Sequence, residues 1–475
     1  MRRIRNFFAG RLFPCALLSL LVLTLCAFLA VTLPRVLAPI AAFERIFAAV
    51  AAIAVMRSDA LPAVKESKLV LILLLPWTGS FLCLFLRHTP RAPLPVRHGA
   101  DESLPRQIGA LSEGIGTGFC GAESAQYFPV GSEMRNQLLD DLKRAKKSIY
   151  LEYYIVAEGV FFRELFTILR AKAHTGVEVK LIVDGFGCSL TLPKKARKRI
   201  EEAGIAVRVF RPVRLRGFNK RDHRKIAVID GRIAYTGGMN LADEYVGDKI
   251  RFGHWKDTAI RMTGGAAEHF FNLFCATWNR LSPENPIPMS ENPPSEAGVP
   301  CAVFADGDSA ATSRTGVRIF TKIFSHVTHT LFINTPYLAL DKTLTDLLKT
   351  AAATGADVRI MIPHIPDKKA VFVLTRDYAR ELERAGVKVR EYTAGFLHAK
   401  SAVADGKYAL IGSYNLDFRS LYIQAEDGVF LEDPALAGEL TRDFLAAWEL
   451  GTELPKQKFR EKIACPVLRL FAPLV

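Results

Sequence analysis

No Cys-x-x-Cys pair occurs in this chain, although it holds eight cysteines, at 15, 26, 83, 120, 188, 275, 301 and 465. That absence excludes the usual zinc-ligand spacings and the disulfide framework of a small secreted domain. The thiols read as free packing residues in a reducing compartment. A clean signal-peptide end is also missing, because Ala-Val-Thr-Leu-Pro at 30–34 is a poor cleavage site. Acidic residues are in deficit, 48 against 63 Lys plus Arg, for a formal net charge of +15. Such a balance favours anionic partners, either nucleic acid or an acidic lipid surface. Basic residues lie on both sides of the N-terminal apolar segments, so charge gives no clean orientation across a membrane.

Apolar residues, by contrast, are plentiful. Half of the 475 residues are hydrophobic, which is high for a purely soluble protein. Residues 12–33 form an uncharged run long enough to span a bilayer, preceded by Arg2, Arg3, Arg5 and Arg11. A second stretch, 36–56, is interrupted by Glu44 and Arg45. A third, 69–86, contains Pro76 and Gly79. The expectation is a membrane anchor over 1–87 with two or three apolar segments, the last two forming a spanning or re-entrant hairpin.

Proline and charge then mark boundaries. Residues 88–110 hold Pro90, Pro93, Pro95 and Pro105, and the linker is expected to run over 88–120. A Pro-rich stretch at 283–300 looks like a second boundary. The segments on either side, 121–282 and 301–475, resemble each other. Strands are expected at 177–184 and 224–231 in the first, and at 357–363 and 400–406 in the second. Helical patterns lie at 134–147 and 344–354. Strands alternating with helices predict an α/β fold, in which two incomplete halves pack into one catalytic unit.

The chemistry is carried by a doubled motif. His223-Arg-Lys225-Ile-Ala-Val-Ile-Asp230-Gly231 is followed by Gly237-Gly238-Met-Asn240. His398-Ala-Lys400-Ser-Ala-Val-Ala-Asp405-Gly406 is followed by Gly412-Ser413-Tyr-Asn415. Both read His-x-Lys-x4-Asp-Gly. His and Lys two apart on a strand project from one face. Two such faces brought together place two imidazoles and two ammonium groups around one centre. That set suits displacement at a phosphodiester: one imidazole attacks phosphorus, the other protonates the leaving oxygen, and the lysines and asparagine amides hold the growing negative charge. The lysines supply positive charge without a metal. Asp230 and Asp405, each before Gly, are candidates for the catalytic set and equally for shaping the turn at the strand end.

These motifs resemble the phospholipase D superfamily, and most closely its bacterial cardiolipin synthases. The similarity extends to Leu-Glu-Tyr-Tyr-Ile (151–155), Gly-Met-Asn-Leu-Ala-Asp-Glu-Tyr (238–245), Phe-Gly-His-Trp-Lys-Asp (252–257), Asn-Thr-Pro-Tyr (334–337), Pro-Asp-Lys-Lys (366–369) and Asn-Leu-Asp-Phe-Arg-Ser (415–420). The resemblance implies duplicated halves around one site, transmembrane helices at the N-terminus, and ping-pong transfer without a cofactor. One phosphatidylglycerol would form a phosphatidyl-histidine and release glycerol, and a second would accept the phosphatidyl group. It implies His223 as nucleophile and His398 as acid/base. Lys225 and Lys400 complete the catalytic set, and Asn240, Ser413 and Asn415 bind substrate. Asp257 and Glu426 would orient the histidines, by pairing across the halves. The implied partner is anionic phospholipid rather than nucleic acid, and the implied place is the bacterial inner membrane, multi-pass, with the catalytic part cytoplasmic. Gln424, Ala425 and Gly238 depart from the commoner pattern and leave the acceptor open. A hydrolase, a transferase of another head group, a nuclease and an inactive scaffold are the competing readings.

Weaker signals remain. Gly116-Thr-Gly118-Phe-Cys-Gly121 matches G-x-G-x-x-G without a strand before it and reads as a flexible loop. His326 and His329 sit close on an expected helix. Glu152, Tyr153 and Tyr154 close an expected strand, where they line a lipid entrance or simply pack. Residues 469–475 form a basic-apolar tail that touches a membrane or finishes a helix.

Overall fold

Alternating apolar runs and amphipathic stretches divide the chain into strands and helices. The computed structural model describes residues 34–58, 60, 62–85, 103–112, 114, 116–211, 220–290, 293–306 and 314–474, with Leu21 and Thr24 besides. The chain forms two units. One holds residues 1–92, 213–218 and 469–475, and the other holds 93–212 and 219–468.

In the first unit, helix Pro34–Met56 contains an 18-residue stretch, Pro39–Met56, long and apolar enough to cross a membrane. The third apolar segment is not one span. It is broken at Pro76 into helices Pro62–Leu74 and Pro76–Phe85, of 13 and 10 residues, because proline lacks the amide that would continue the helix. At about 1.5 Å per residue neither piece crosses about 30 Å of hydrocarbon alone. The segment at 12–33 lies outside the described residues, apart from Leu21 and Thr24.

The second unit carries the duplication. Its first half supplies β1 (Gly118–Phe128), β2 (Ser148–Tyr153), β3 (Glu178–Asp184), β4 (Ala206–Phe210), β5 (Lys225–Ile229), β6 (Ile233–Gly237), β7 (His254–Lys256) and β8 (Ala259–Gly264). The second half supplies β9 (Val299–Asp306), β10 (Thr330–Asn334), β11 (Leu338–Ala339), β12 (Asp357–Pro363), β13 (Lys388–Tyr392), β14 (Gly395–Leu397), β15 (Ser401–Ala404), β16 (Tyr408–Gly412), β17 (Leu416–Asp417), β18 (Glu426–Glu432) and β19 (Gly451–Thr452).

Fifteen of these strands form one sheet, ordered β19-β13-β12-β10-β15-β16-β18-β9-β1-β8-β6-β5-β2-β3-β4. Outward from the centre the two directions match. The antiparallel strands β8, β6 and β5 answer to β18, β16 and β15, and the parallel group β2-β3-β4 answers to β10-β12-β13. The antiparallel pair β1–β9 joins the halves, with Cys120 opposite Cys301 and their sulfurs 3.3 Å apart. Strands such as β3 are apolar on both faces because both faces are covered. One core packs Leu138, Phe161 and Leu165 on the first half. Another takes Phe270, Phe274 and Trp278 from helix Gly265–Leu281 together with Val403, Ile411 and Val429, so the halves share it.

Several segments differ from their sequence reading. The expected linker at 88–120 contains helix Leu104–Ser112, whose Leu104, Ile108 and Ser112 are buried, and β1 already begins at Gly118. The Pro-rich 283–300 stretch is strapped down. Trp278 Nε1 donates to Asn285 O at 3.1 Å, Ile287 N to Asn279 Oδ1 at 2.6 Å and Gly121 N to Ser295 O at 2.8 Å. Gly118 and Gly121 belong to β1 and not to a flexible loop. His329 lies beyond helix Thr315–His326 rather than on it. Among the described residues, no group of three His, Cys, Asp or Glu side chains is placed to hold a metal.

Candidate active site

Two short strand contacts bring each half's chemistry to the other. β7 runs parallel to β14, Leu397 beside Lys256, and His398 N donates to Lys256 O at 2.7 Å. A parallel bridge joins Asp222 to Ala425, where His223 N donates to Ala425 O at 2.8 Å. Each histidine therefore sits just before its strand, clamped to the opposite half. The residue after each clamp supplies a carboxylate. His398 Nδ1 meets Asp257 Oδ2 at 2.7 Å, and His223 Nδ1 meets Glu426 Oε2 at 2.9 Å. Both carboxylates are fully buried. Bound at Nδ1, each imidazole has Nε2 as its second ring nitrogen for chemistry, which at His398 lies beside the Lys400 ammonium. Tyr154 packs edge-on against His223 and Tyr245 against His398, at 4.9 and 5.3 Å between ring centres.

Lys225 and Lys400 are buried beside them. Each ammonium folds back to donate to the carbonyl of its own motif histidine. Lys400 Nζ also stands 2.8 and 3.0 Å from the ring nitrogens of His398.

Burial acts on all four groups more strongly than any neighbour does, because a charged group loses hydration there. It holds His223 well below the ordinary imidazole range, aided by Lys225 and then by Lys400 and His398 of the other motif. Burial and Lys400 bring His398 to about 4, against the pull of Asp257 and with help from Lys225 across the halves. Charge on each motif thus acts on the histidine of the other. The lysines fall to about 8 at 225 and about 7 at 400, burial outweighing Glu426 and Asp257. Unfolded lysine titrates near about 10.4, so the cost of burying both ammonium groups is complete below pH 7 and fades as pH rises toward that value. An anion between the lysines offsets that cost where they are charged. Sulfate, whose charge is fixed over this range, is expected to raise the melting temperature more at pH 6 than at pH 9. Thermal scans of wild type and Lys400→Ala check this, and an equal gain in both proteins at both pH values would refute it.

The remaining expected residues fall into two groups. Ser413 Oγ donates to Glu426 Oε2 at 2.5 Å and accepts from Asp427 N at 2.9 Å, so it braces a carboxylate. Asn240 Oδ1 accepts from Ile155 N at 3.0 Å, and Asn415 Nδ2 donates to Ser420 Oγ at 3.1 Å. Asp230 and Asp405 lie away from the imidazoles, at the far ends of β5 and β15. Both adopt positive φ, 54° and 52°. Asp230 accepts the amides of Lys146, Lys147 and Ser148, and Asp405 those of Thr328, His329 and Thr330. Burial alone would raise both carboxyls, but these backbone amides together outweigh it and hold them below their usual range. Their contacts are those of turn residues fastening the loop before β2 and β10.

At the place matching Ser413 stands Gly238, where a Cβ would collide with Asp257 Oδ1. Gly238→Ala is expected to push that carboxylate off His398 and lower kcat on the order of 10²-fold while the fold survives. Comparing kcat with the melting temperature checks it; a fall in both together would make the residue merely structural.

Sequence reasoning missed Arg224. It lies between His223 and Lys225, so strand alternation sends it to the opposite face. There it donates to Thr277 Oγ1 at 2.9 Å, to Asp306 O at 2.6 Å and to Glu152 Oε1 at 3.3 Å. Glu152 is thereby a buried partner rather than a lipid-entrance residue, and Tyr153 belongs to the core.

The chain matches the family described as "Cardiolipin synthase, PLD-like domain" over residues 138–249 and 320–448. It is 36% identical over 360 residues to the major cardiolipin synthase ClsA of Bacillus subtilis, covering 73% of this chain and 74% of that protein. A cardiolipin synthase of Halalkalibacterium halodurans is 34% identical over 360 residues, covering 73% and 71%. Among solved structures, phosphatidylserine synthase of Haemophilus influenzae shares the fold, with a TM-score of 0.58 at 17% identity over 75% of this chain and 95% of that one.

Proposed function

Because this chain belongs to the cardiolipin synthase family of phospholipase D-like phosphatidyltransferases, we propose that it joins two phosphatidylglycerol molecules into cardiolipin and releases glycerol. His223 Nε2 attacks the phosphorus of the first lipid. The bond from phosphorus to the glycerol oxygen breaks, and His398 delivers a proton to that oxygen. The phosphatidyl group now rests on His223. His398, deprotonated, takes the proton from a free hydroxyl of the second lipid, whose oxygen attacks phosphorus as the P–N bond breaks. Lys225 and Lys400 hold the equatorial oxygens throughout. Burial and the lysine charge favour neutral His398; the entering phosphodiester cancels part of that charge, and so equips His398 to act as an acid.

The observation supporting this reading is the pair of buried imidazole–carboxylate contacts, each made across the halves. The doubled lysine gives the site enough positive charge for a diester anion. The reading places the first unit in the bacterial inner membrane as a multi-pass anchor, with the catalytic unit on the cytoplasmic side. Its support is the apolar stretch Pro39–Met56 and a set of buried free thiols.

Purified protein in phosphatidylglycerol vesicles is expected to form cardiolipin and glycerol in equal amounts. Phosphatidic acid as the sole product would replace transfer by hydrolysis. The same rate is expected with and without EDTA, and loss of turnover on chelation would defeat the charge assignment to the lysines.

A further inference from the structure

Helix Phe459–Phe471 leaves three large apolar side chains in water. Phe459, Ile463 and Val467 are 76%, 62% and 56% exposed. Spaced four apart, at about 100° per residue, they form one stripe. The opposite face is fastened down. Cys465 is buried. Arg380 Nη2 donates to Glu461 Oε2 at 3.3 Å and to Pro455 O at 3.2 Å, and Gln457 Nε2 donates to Asp377 Oδ1 at 3.2 Å. Glu461, the helix's one acid, is therefore turned inward. Outward, the stripe is bordered by exposed Arg460 and Lys462 and preceded by exposed Lys456 and Lys458. The residues that follow, from Arg469, belong to the membrane unit, in which the Ser67 hydroxyl donates to Leu470 O.

We propose that this helix lies in the membrane–water interface, its apolar stripe among acyl chains and its cations at acidic lipid headgroups. The partner is a bilayer surface rich in anionic phospholipid. Apolar residues edged by lysine and arginine suit that boundary; a second copy of the chain would cover the apolar stripe yet leave the cations unanswered. Continuity with the membrane unit favours the same partner. The helix holds the catalytic unit at the bilayer surface, a role separate from bond making.

The test uses the full chain in nanodiscs. Ile463→Trp adds one indole to four native ones, and bromine-labelled acyl chains quench it if it is inserted. Added fluorescence that is strongly quenched, and more so in phosphatidylglycerol discs than in phosphatidylcholine discs, is the expected result. An added indole that emits as in water and escapes quenching overturns the proposal. So does conversion of a dimer to a monomer by Ile463→Glu, which would assign the stripe to a second copy. This readout needs no catalysis, so failure of the lipid-transfer reading leaves it decisive. For activity, the triple variant Phe459→Glu, Ile463→Glu, Val467→Glu is expected to lose about tenfold on long-chain vesicle lipid and nothing on a short-chain, monomeric phosphatidylglycerol. Equal losses on both substrates would make the helix structural and sink the idea.

Discussion

On the proposed mechanism, His223→Ala is expected to lower phosphatidylglycerol turnover by at least about 10⁴-fold, because it removes the atom assigned to attack phosphorus. His398 is held against Asp257 just as His223 is against Glu426, so it is the group the variant could recruit, and the lysines are held at the carbonyls of their own motifs. The fold should persist, since the backbone of residue 223 keeps its bond to Ala425 whatever the side chain. A lipid radiolabelled at phosphorus should leave covalent label on the wild type during turnover and none on this variant. Label retained on His223→Ala would transfer the nucleophile to His398. The carboxylate behind it makes a gentler test: Glu426→Gln keeps a hydrogen-bond acceptor for Nδ1 but removes the charge that steadies the ring.

His398→Ala is expected to cost about 10²–10⁴-fold through loss of the acid and base assistance proposed for it. Its signature is dependence on the leaving group. Glycerol leaves as a poor alkoxide and needs a proton, whereas p-nitrophenolate needs none. With a p-nitrophenyl phosphatidyl ester the variant should release one equivalent of phenolate per site and then stall, because nothing activates the acceptor. Steady turnover without that burst, or no phenolate at all, would contradict the division of labour. Substituting His223 should abolish the burst for every leaving group, so the two histidines are distinguishable even though their surroundings look alike.

Much of this site was legible because its chemistry obeys a two-residue period. His and Lys separated by one residue point one way from an extended chain, and finding the pattern twice gives two half-sites. Likewise the stretch at 177–184 reads as a strand, and β3 lies there, buried from Val179 to Asp184. What the sequence hid depends on distant partners. Arg224 reads like a solvated strand residue, and only Thr277, Asp306 and Glu152 reveal it as buried. At Asp230 and Asp405 the following Gly already points to a turn, and only the amides each one accepts, before β2 and β10, have to come from the structure. The helix at 104–112 was obscured by Pro105, a residue that helices accept in their first turn. The third apolar segment is harder to read, because the run at 69–86 passes through Pro76, which divides it into two short helices rather than one span.

The joined β1–β9 pair has an evolutionary reading. A single half presenting that strand edge could pair with its own copy and build a two-fold symmetric site, in which both imidazoles would have identical neighbours. Linking the copies in one polypeptide frees them to diverge. Here one imidazole is steadied by an aspartate beside a glycine, and the other by a glutamate beside a serine. Covalent fusion thus allows the two imidazoles to be given different surroundings, which the proposed division between attack and proton transfer requires.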